Sequence, residues 1–208
     1  MDSEYLIPIG EAAIRLGVSI DTLRRWDKSG KLTAIRKNGI RYYSEKEIDV
    51  FLNELSAMAF DWASAKIAVK IPQMFYCQDS SIFQVRLMRM QNEFTKALIP
   101  DNILFLLSSI AGEIGNNSFD HNLGNWIDVP GVFFGYDINK KEIVLADRGQ
   151  GLLKTLQRVK ANLANHRDAL NVAFTESISG RSPENRGNGL KYVRISVLNN
   201  PIDLFYQS

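Results

Sequence analysis

The chain has one cysteine, Cys77, and two histidines in 208 residues. A single thiol forms no internal disulfide and no cysteine-based zinc cluster, and two imidazoles do not supply a histidine-rich metal site. Long apolar runs are also missing. The longest nearly continuous one, "ILFLLSSIA" at 103–111, is far short of the ~18–20 residues that cross a bilayer. The N-terminus has no secretory apolar stretch, so no membrane partner and a cytoplasmic location are the expectations. At 45% hydrophobic residues the chain is neither disordered nor fibrous, and it holds material for one good core or two small ones.

Net charge is nearly absent as well, at a formal +2, so its placement carries the information. Between residues 15 and 41, eight basic residues (Arg15, Arg24, Arg25, Lys28, Lys31, Arg36, Lys37, Arg41) stand against Asp21 and Asp27. From 101 to the end, eleven basic residues cancel eleven acidic ones. A basic N-terminal module joined to a neutral one is expected when the first alone touches nucleic acid.

In "YLIPIGEAAIRLGVSIDTLRRWDKSGKL", Ile9, Ala12, Ala13 and Leu16 fall on one face of a short helix that Gly17 stops. A second helix follows, with Ser19 as N-cap, Ile20, Leu23 and Trp26 as its inner stripe, and Gly30 at its close. Two short helices across a glycine-containing turn make a helix-turn-helix, the second being the recognition helix. Its outer face carries Asp21, Thr22, Arg24, Arg25 and Lys28. In "KLTAIRKNGIRYYSEKEIDVFL", Asn38-Gly39 marks a tight hairpin between two extended runs, a wing bearing Arg36, Lys37 and Arg41. Arg24 and Arg25 suit phosphates or a guanine edge, Ser19 and Thr22 suit phosphate oxygens, and Arg41 with Tyr42 braces the wing. Trp26 is expected in the core. Residues 4–52 resemble the winged helix-turn-helix of the MerR and excisionase type, on the run "GEAAIRLGVSIDTLRRWDKSGKL" and the wing "GIRYYS". The resemblance implies double-stranded DNA as partner, the second helix in the major groove and the wing along the backbone or into the minor groove.

Residues 56–100 read as a helical connector broken at Pro72. Within it, "SIFQVRLMRMQNEFTKAL" spaces Phe83, Leu87, Met90, Phe94 and Ala97 as a heptad-like seam. The seam has two readings: a homodimer contact, or packing on the following domain.

The segment "DNILFLLSSIAGEIGNNSFDHN" is apolar at helical spacing through Ile103, Leu106, Leu107, Ile110 and Ile114, with Asp101 as cap. On that helix Glu113 and Asn117 lie one turn apart on one face, with Asp120 and His121 a turn further. A carboxylate and an amide so placed suit a base for a nucleophile and a neutral ligand for Mg²⁺ beside phosphates. Next, "GVFFGYDINKKEIVLADRGQGL" predicts a hairpin with strands near 131–137 and 142–147. It ends in Asp147, Gly149 and Gly151, a carboxylate for an exocyclic amine above a close turn. A helix over "LLKTLQRVKANL" (152–163) follows. Further on, "SGRSPENRGNGLKYV" runs glycine-rich into a helix start, where backbone N–H groups face an anion. No GxxxxGK[ST] and no Rossmann fingerprint occur.

The ordered set E-x-x-x-N, D-x-G-x-G and G-x-G-L resembles the N, G1 and G2 boxes of the GHKL superfamily of ATPases and kinases, over roughly 101–208. The resemblance implies ATP and Mg²⁺ as cofactors, Asn117 as metal ligand and Glu113 as base. It implies Asp147 on the adenine amine, with Gly149 and Gly151 shaping the pocket. Asp120 and His121 fall on the adenine side. Gly187, Asn188, Gly189 and Leu190 form the phosphate floor, and 175–186, with Arg181, plus Arg186 forms the lid. The tail "NNPIDLFYQS" is expected to add one strand, leaving a sheet edge for a protein partner or a further segment.

The resulting expectation is an α+β chain. It comprises a winged helix-turn-helix at 1–55, a helical connector at 56–100, and at 101–208 a two-layer α/β sandwich of the GHKL type with its last strand missing. Three functions stay open: a DNA-binding regulator that senses or hydrolyses ATP, a serine/threonine kinase of the anti-sigma or histidine-kinase type, and a non-hydrolysing nucleotide-binding component of a recombination or defence assembly.

Overall fold

The structure, a computed structural model, describes residues 5–16, 18–30, 32–53, 55–177 and 188–208. The N-terminal part runs β1 (Leu6–Pro8), α1 (Ile9–Arg15), α2 (Ile20–Ser29), β2 (Ile35–Lys37), β3 (Ile40–Ser44) and α3 (Glu45–Asn53). Local chemistry sets most of these boundaries. The Ser19 side chain accepts from the Thr22 N–H at 3.1 Å and starts α2. Gly30 ends α2 in the left-handed region at φ 71°, where a residue without Cβ meets no penalty. Asn38 and Gly39 take φ 50° and 76°, the pair of positive values that a two-residue hairpin turn requires.

The antiparallel order is β1-β3-β2, with Ile7 opposite Tyr43 and Arg36 opposite Arg41. Ile7, Ala12, Leu16, Leu23, Leu32, Tyr43 and Ile48 are buried together beneath this sheet. The buried Tyr43 hydroxyl donates to the Leu23 carbonyl at 3.1 Å, satisfying its polar end and tying the wing to α2. Trp26 packs on Phe51 with ring centroids 5.2 Å apart, so it is a core side chain.

The second part begins with α4 (Leu55–Ser64), β4 (Tyr76–Cys77), α5 (Ser80–Lys96) and α6 (Asp101–Asn122). A hairpin follows, β5 (Val132–Asp137) and β6 (Glu142–Asp147), then α7 (Gly151–Gln157), α8 (His166–Thr175) and α9 (Gly189–Leu198). The sheet order is β4-β5-β6, antiparallel, with Val132 opposite Asp147 and Asp137 opposite Glu142. Every residue of β5 is buried. Val132, Phe134 and Tyr136 meet Phe83, Leu87, Met90 and Phe94 of α5 and Leu104 and Ala111 of α6. On the opposite face Phe133 meets Leu55, Ala59 and Trp62 of α4, and Gly135 leaves room for the Leu55 side chain, which a Cβ would meet at 2.6 Å.

Four expectations are corrected, and the two readings of the seam are decided. The sheet is covered on both faces, so the two-layer description fails: α4, which the sequence places in a connector, supplies a third layer. The seam Phe83, Leu87, Met90 and Phe94 is buried against the chain's own β5 and α6, which excludes it as a dimer contact, while Ala97 lies exposed beyond it. Asp101 does not cap α6; Pro100 holds the cap position, and Asp101 lies in the first turn, where a negative charge suits the helix dipole. Residues 201–208 contain no strand; Tyr206 packs edge-on against Phe174 at 5.3 Å, and the Leu152 N–H donates to the Ser208 hydroxyl at 2.8 Å. The helix expected over 152–163 also stops early, at Gln157, and Gln157 Nε2 then donates to the Leu163 carbonyl across the turn that follows.

Candidate functional site

The helix α2 presents Arg24, Arg25 and Lys28 on its exposed side. Leu23 is fully buried, and the 100° step of a helix turns those three cations away from it. Arg24 is paired with Asp21 at 2.8 Å on the surface, and Arg25 donates to the Thr22 hydroxyl at 3.2 Å. Arg36 and Lys37 are exposed next to the Asn38-Gly39 turn. Gly17 and Lys31 lie outside the described residues.

The wing is held to α2 by an acid that the sequence reading passed over. Asp27, on α2, accepts from Arg41 Nε at 2.8 Å, from Arg36 at 3.4 Å and from the Ala34 N–H at 3.1 Å. The Arg41 bond, foremost, and then the Ala34 bond hold its carboxyl below the usual range. One carboxylate therefore fixes the angle between helix and wing. Arg41 is committed to this brace. Tyr42, next to it, is half-buried.

Ser19 and Thr22 are placed differently from the cations. They line a cleft of about 160 Å³ between the first turn of α2 and the second part, together with Leu16, Val18, Met74, Phe75, Arg86, Arg89 and Tyr136. Their hydroxyls bond each other at 2.9 Å on the exposed start of the helix.

In the second part, the motif residues converge at one end of α6. Asp147 ends β6, and its carboxylate accepts from the Ser118 hydroxyl at 2.6 Å, from the Gly149 N–H at 2.8 Å and from Asn122 Nδ2 at 3.4 Å. Asn122 is buried and its Oδ1 accepts from the Gln150 N–H at 3.0 Å. The room that Gly149 leaves is filled by Asn122, whose side chain a Cβ would meet at 2.0 Å. Gly151 takes φ 75°, which favours glycine. Glu113 lies against Gly189 at the start of α9, where a Cβ would stand 1.7 Å from its Oε1. Asn117 is half-buried on α6 one turn from Glu113, Asp120 is exposed and His121 half-buried. Asn188 precedes α9 and its Oδ1 bonds the Ser177 hydroxyl at 3.1 Å; Leu190 packs on the cluster of Leu156, Val172 and Ala173. Arg181, Arg186 and Gly187 lie outside the described residues.

Two residues with no assigned role from sequence are prominent here. Tyr206, from the tail, lies beside Asp147, and burial, with that negative charge, pushes its phenol up to about 12. Arg148, between the motif residues Asp147 and Gly149, is buried and turned to the other side, onto Asp128 and the end of α4. Both contacts join segments far apart in the chain, which explains why no local pattern marks them. Among the described residues, no group of three or more His, Cys, Asp or Glu is placed to hold a metal ion by itself, and no helix is long and apolar enough to cross a membrane.

Residues 8–43 match the family described as "MerR family regulatory protein". This stretch, from Pro8 before α1 to Tyr43 in β3, is a MerR-family helix-turn-helix domain, and it supports a DNA-binding role in transcription regulation. No curated protein matches the chain, and no solved structure does.

Proposed function

We propose that the protein is a DNA-binding transcriptional regulator whose second module is a GHKL-type unit responsive to ATP. The DNA half is carried by one observation: Arg24, Arg25 and Lys28 are exposed along α2 while Asp27, on the same helix, clamps the wing that bears Arg36 and Lys37. Cations that neutralise phosphates release counterions, so affinity falls with salt in proportion to their number. Fluorescence anisotropy with duplex DNA over a salt series tests it. Arg25→Ala should weaken binding and reduce the slope by about one; an unchanged slope would reject this face as the interface.

Support for the nucleotide half is the convergence of Glu113, Asn117, Asp147 and Gly189 around α6. The donor set fits the group. Mg²⁺ is commonly held by one or two protein oxygens plus phosphates rather than by a cage of carboxylates, and Asn117 beside Glu113 offers that much. ATP would supply the phosphoanhydride; Asn117 would hold the cation, Asp147 the adenine amine and the start of α9 the phosphates, with Glu113 orienting a nucleophile. Calorimetric titration of ATP with Mg²⁺ into wild type and Asp147→Ala checks the adenine role, and equal affinities would remove it. Phosphate release by wild type and not by Glu113→Ala separates turnover from sensing, and label transfer from γ-labelled ATP to a protein would instead favour the kinase reading.

A further inference from the structure

The cleft between α2 and the second module has no part in either reading above. Its walls come from two modules: Leu16, Val18, Ser19 and Thr22 from the helix-turn-helix, and Met74, Phe75, Arg86, Arg89 and Tyr136 from the other side. At about 160 Å³ it is slightly larger than the ~150 Å³ apolar cavity that takes a benzene ring. The lining is apolar at Leu16, Val18, Met74 and Phe75 and cationic at Arg86 and Arg89.

Of the two arginines, Arg86 is held by uncharged groups and Arg89 by a carboxylate. Arg86 donates to the Gln73 carbonyl at 2.8 Å and to Cys77 Sγ at 3.6 Å; burial pushes that thiol up to about 11, so it stays neutral. Arg89 uses Nε for Glu93 at 2.8 Å, and the other oxygen of Glu93 accepts from the Tyr136 hydroxyl at 2.9 Å. Of the two, only Arg89 is paired with a carboxylate among the described residues, and that carboxylate is already shared with a phenol. A strand edge borders them: β4 pairs with β5 only at Val132 and Phe133, and the Phe134 N–H reaches the Phe75 carbonyl at 2.8 Å. Beyond that bond, among the described residues, β5 has no strand partner on this side. By the alternation of a strand, the Tyr136 N–H points to the same edge as that of Phe134.

We infer that this cleft binds a small monocarboxylate with a compact apolar body, the carboxylate on Arg86 and Arg89 and the body against Leu16, Val18, Met74 and Phe75. Forked guanidinium donors match a carboxylate in both geometry and charge. The occupant touches both modules, so it ties the recognition helix to the sheet and biases the orientation in which α2 is presented. This regulatory consequence rests on the DNA-binding reading, whereas the binding site itself does not.

The test uses the full chain without DNA first. Acetate, isovalerate, phenylacetate and benzoate are titrated by calorimetry, with benzamide as the uncharged counterpart of benzoate. At least one apolar-bodied carboxylate should bind saturably, with benzoate on the order of tenfold tighter than benzamide, the size expected of a charge-assisted pair. Arg89→Met should weaken the bound carboxylate on the order of tenfold while leaving ATP affinity unchanged. If no member of the panel binds, or if benzamide binds as well as benzoate, the inference is overturned. The amide comparison needs no variant, so misfolding of Arg89→Met would not shield it. Anisotropy with duplex DNA is then repeated with the bound carboxylate present. A shift in DNA affinity in wild type but not in Arg89→Met supports the coupling; binding of the carboxylate with no shift keeps the site and removes the coupling.

Discussion

Arg148 and Asp128 form a two-pronged ion pair, with Nη2 to Oδ2 at 2.6 Å and Nε to Oδ1 at 2.9 Å. The arginine side chain is 4% exposed. Its remaining donors go to the carbonyls of Trp62, Ala63 and Ala65, and its charge lies 5.9 Å from the Trp62 ring centroid. Carbonyls at a helix C-terminus lack intrahelical partners, so one side chain satisfies the end of α4, neutralises the loop before β5 and anchors the turn after β6.

Removing this anchor should be costly. Arg148→Met is expected to lower stability by about 2–4 kcal/mol, because several buried acceptors lose their donor together. Asp128→Asn, which keeps size and leaves the arginine its carbonyls, should cost about 1–2 kcal/mol. Urea denaturation followed by circular dichroism measures both. An Arg148→Met variant as stable as wild type would show that the anchor is idle.

The same pair predicts an acid limb. Arg148 holds the Asp128 carboxyl down to about 2, below the ~4 of an unfolded aspartate. A depressed folded value stabilises the folded state above the unfolded value, and that gain is lost as pH falls from about 4 toward 2. Stability should therefore drop across that window in wild type and drop less steeply in Asp128→Asn. Parallel curves for the two proteins would assign the acid sensitivity elsewhere.

Asp27 offers a test in which charge and geometry oppose each other. Replacing it with alanine makes the DNA-binding module more positive, which by itself strengthens attraction to phosphates. It also removes the acceptor shared by Arg41, Arg36 and Ala34, so the wing loses its fixed angle to α2. We expect Asp27→Ala to bind specific duplex about five- to tenfold more weakly, consistent with the loss of charge-assisted bonds at a partly buried site, while binding to random duplex holds or rises. Equal gains on both duplexes would mean that the clamp does not orient the interface.

What could be read from sequence follows from how far each signal reaches. Ser19, Gly30 and the Asn38-Gly39 turn act on their immediate neighbours, and each appears as its residue type requires. The strand β1 is three residues long and is defined by pairing with β3 across more than thirty positions, so nothing within Leu6–Pro8 announces it. The stretch forming α4 is apolar around most of its circumference, with Leu55, Ala59 and Trp62 buried, and periodicity alone could not place it on a sheet face. Ser118 and Asn122 were legible as polar residues on α6, yet their tie to Asp147 depends on how α6 crosses the end of β6. The tail shows the opposite error: its alternating "IDLF" suits a strand, but no ladder partner lies beside it among the described residues.

Asn122 and Gly149 should behave as a coupled pair. Gly149→Ala drives a Cβ into the Asn122 side chain, 2.0 Å away, and that side chain is buried and bonded to Asp147 and Gln150. Overpacking of this kind costs about 1–3 kcal/mol, and Asn122→Ala alone should cost about as much by leaving the Gln150 N–H unpaired. Because alanine at 122 vacates the space that alanine at 149 needs, the double variant should be less destabilised than the two losses added. Strict additivity in urea denaturation would mean that the two side chains do not compete for one space.

Gly189 and Glu113 separate the chemistry of the α6 end from its folding. A Cβ at 189 would stand 1.7 Å from Glu113 Oε1, 2.4 Å from its Cδ and 2.9 Å from its Cγ, so the outer part of that flexible side chain must swing away. The glycine is the first residue of α9, and alanine is the better helix former. Gly189→Ala should therefore change stability by under about 1 kcal/mol while displacing the Glu113 carboxylate from the helix start. If that carboxylate orients a nucleophile beside bound ATP, phosphate release should fall at least tenfold, with ATP affinity changed far less. The informative measurement is the pair of numbers taken together. Loss of release at intact stability supports the role given to Glu113, and wild-type release from Gly189→Ala would take that role away.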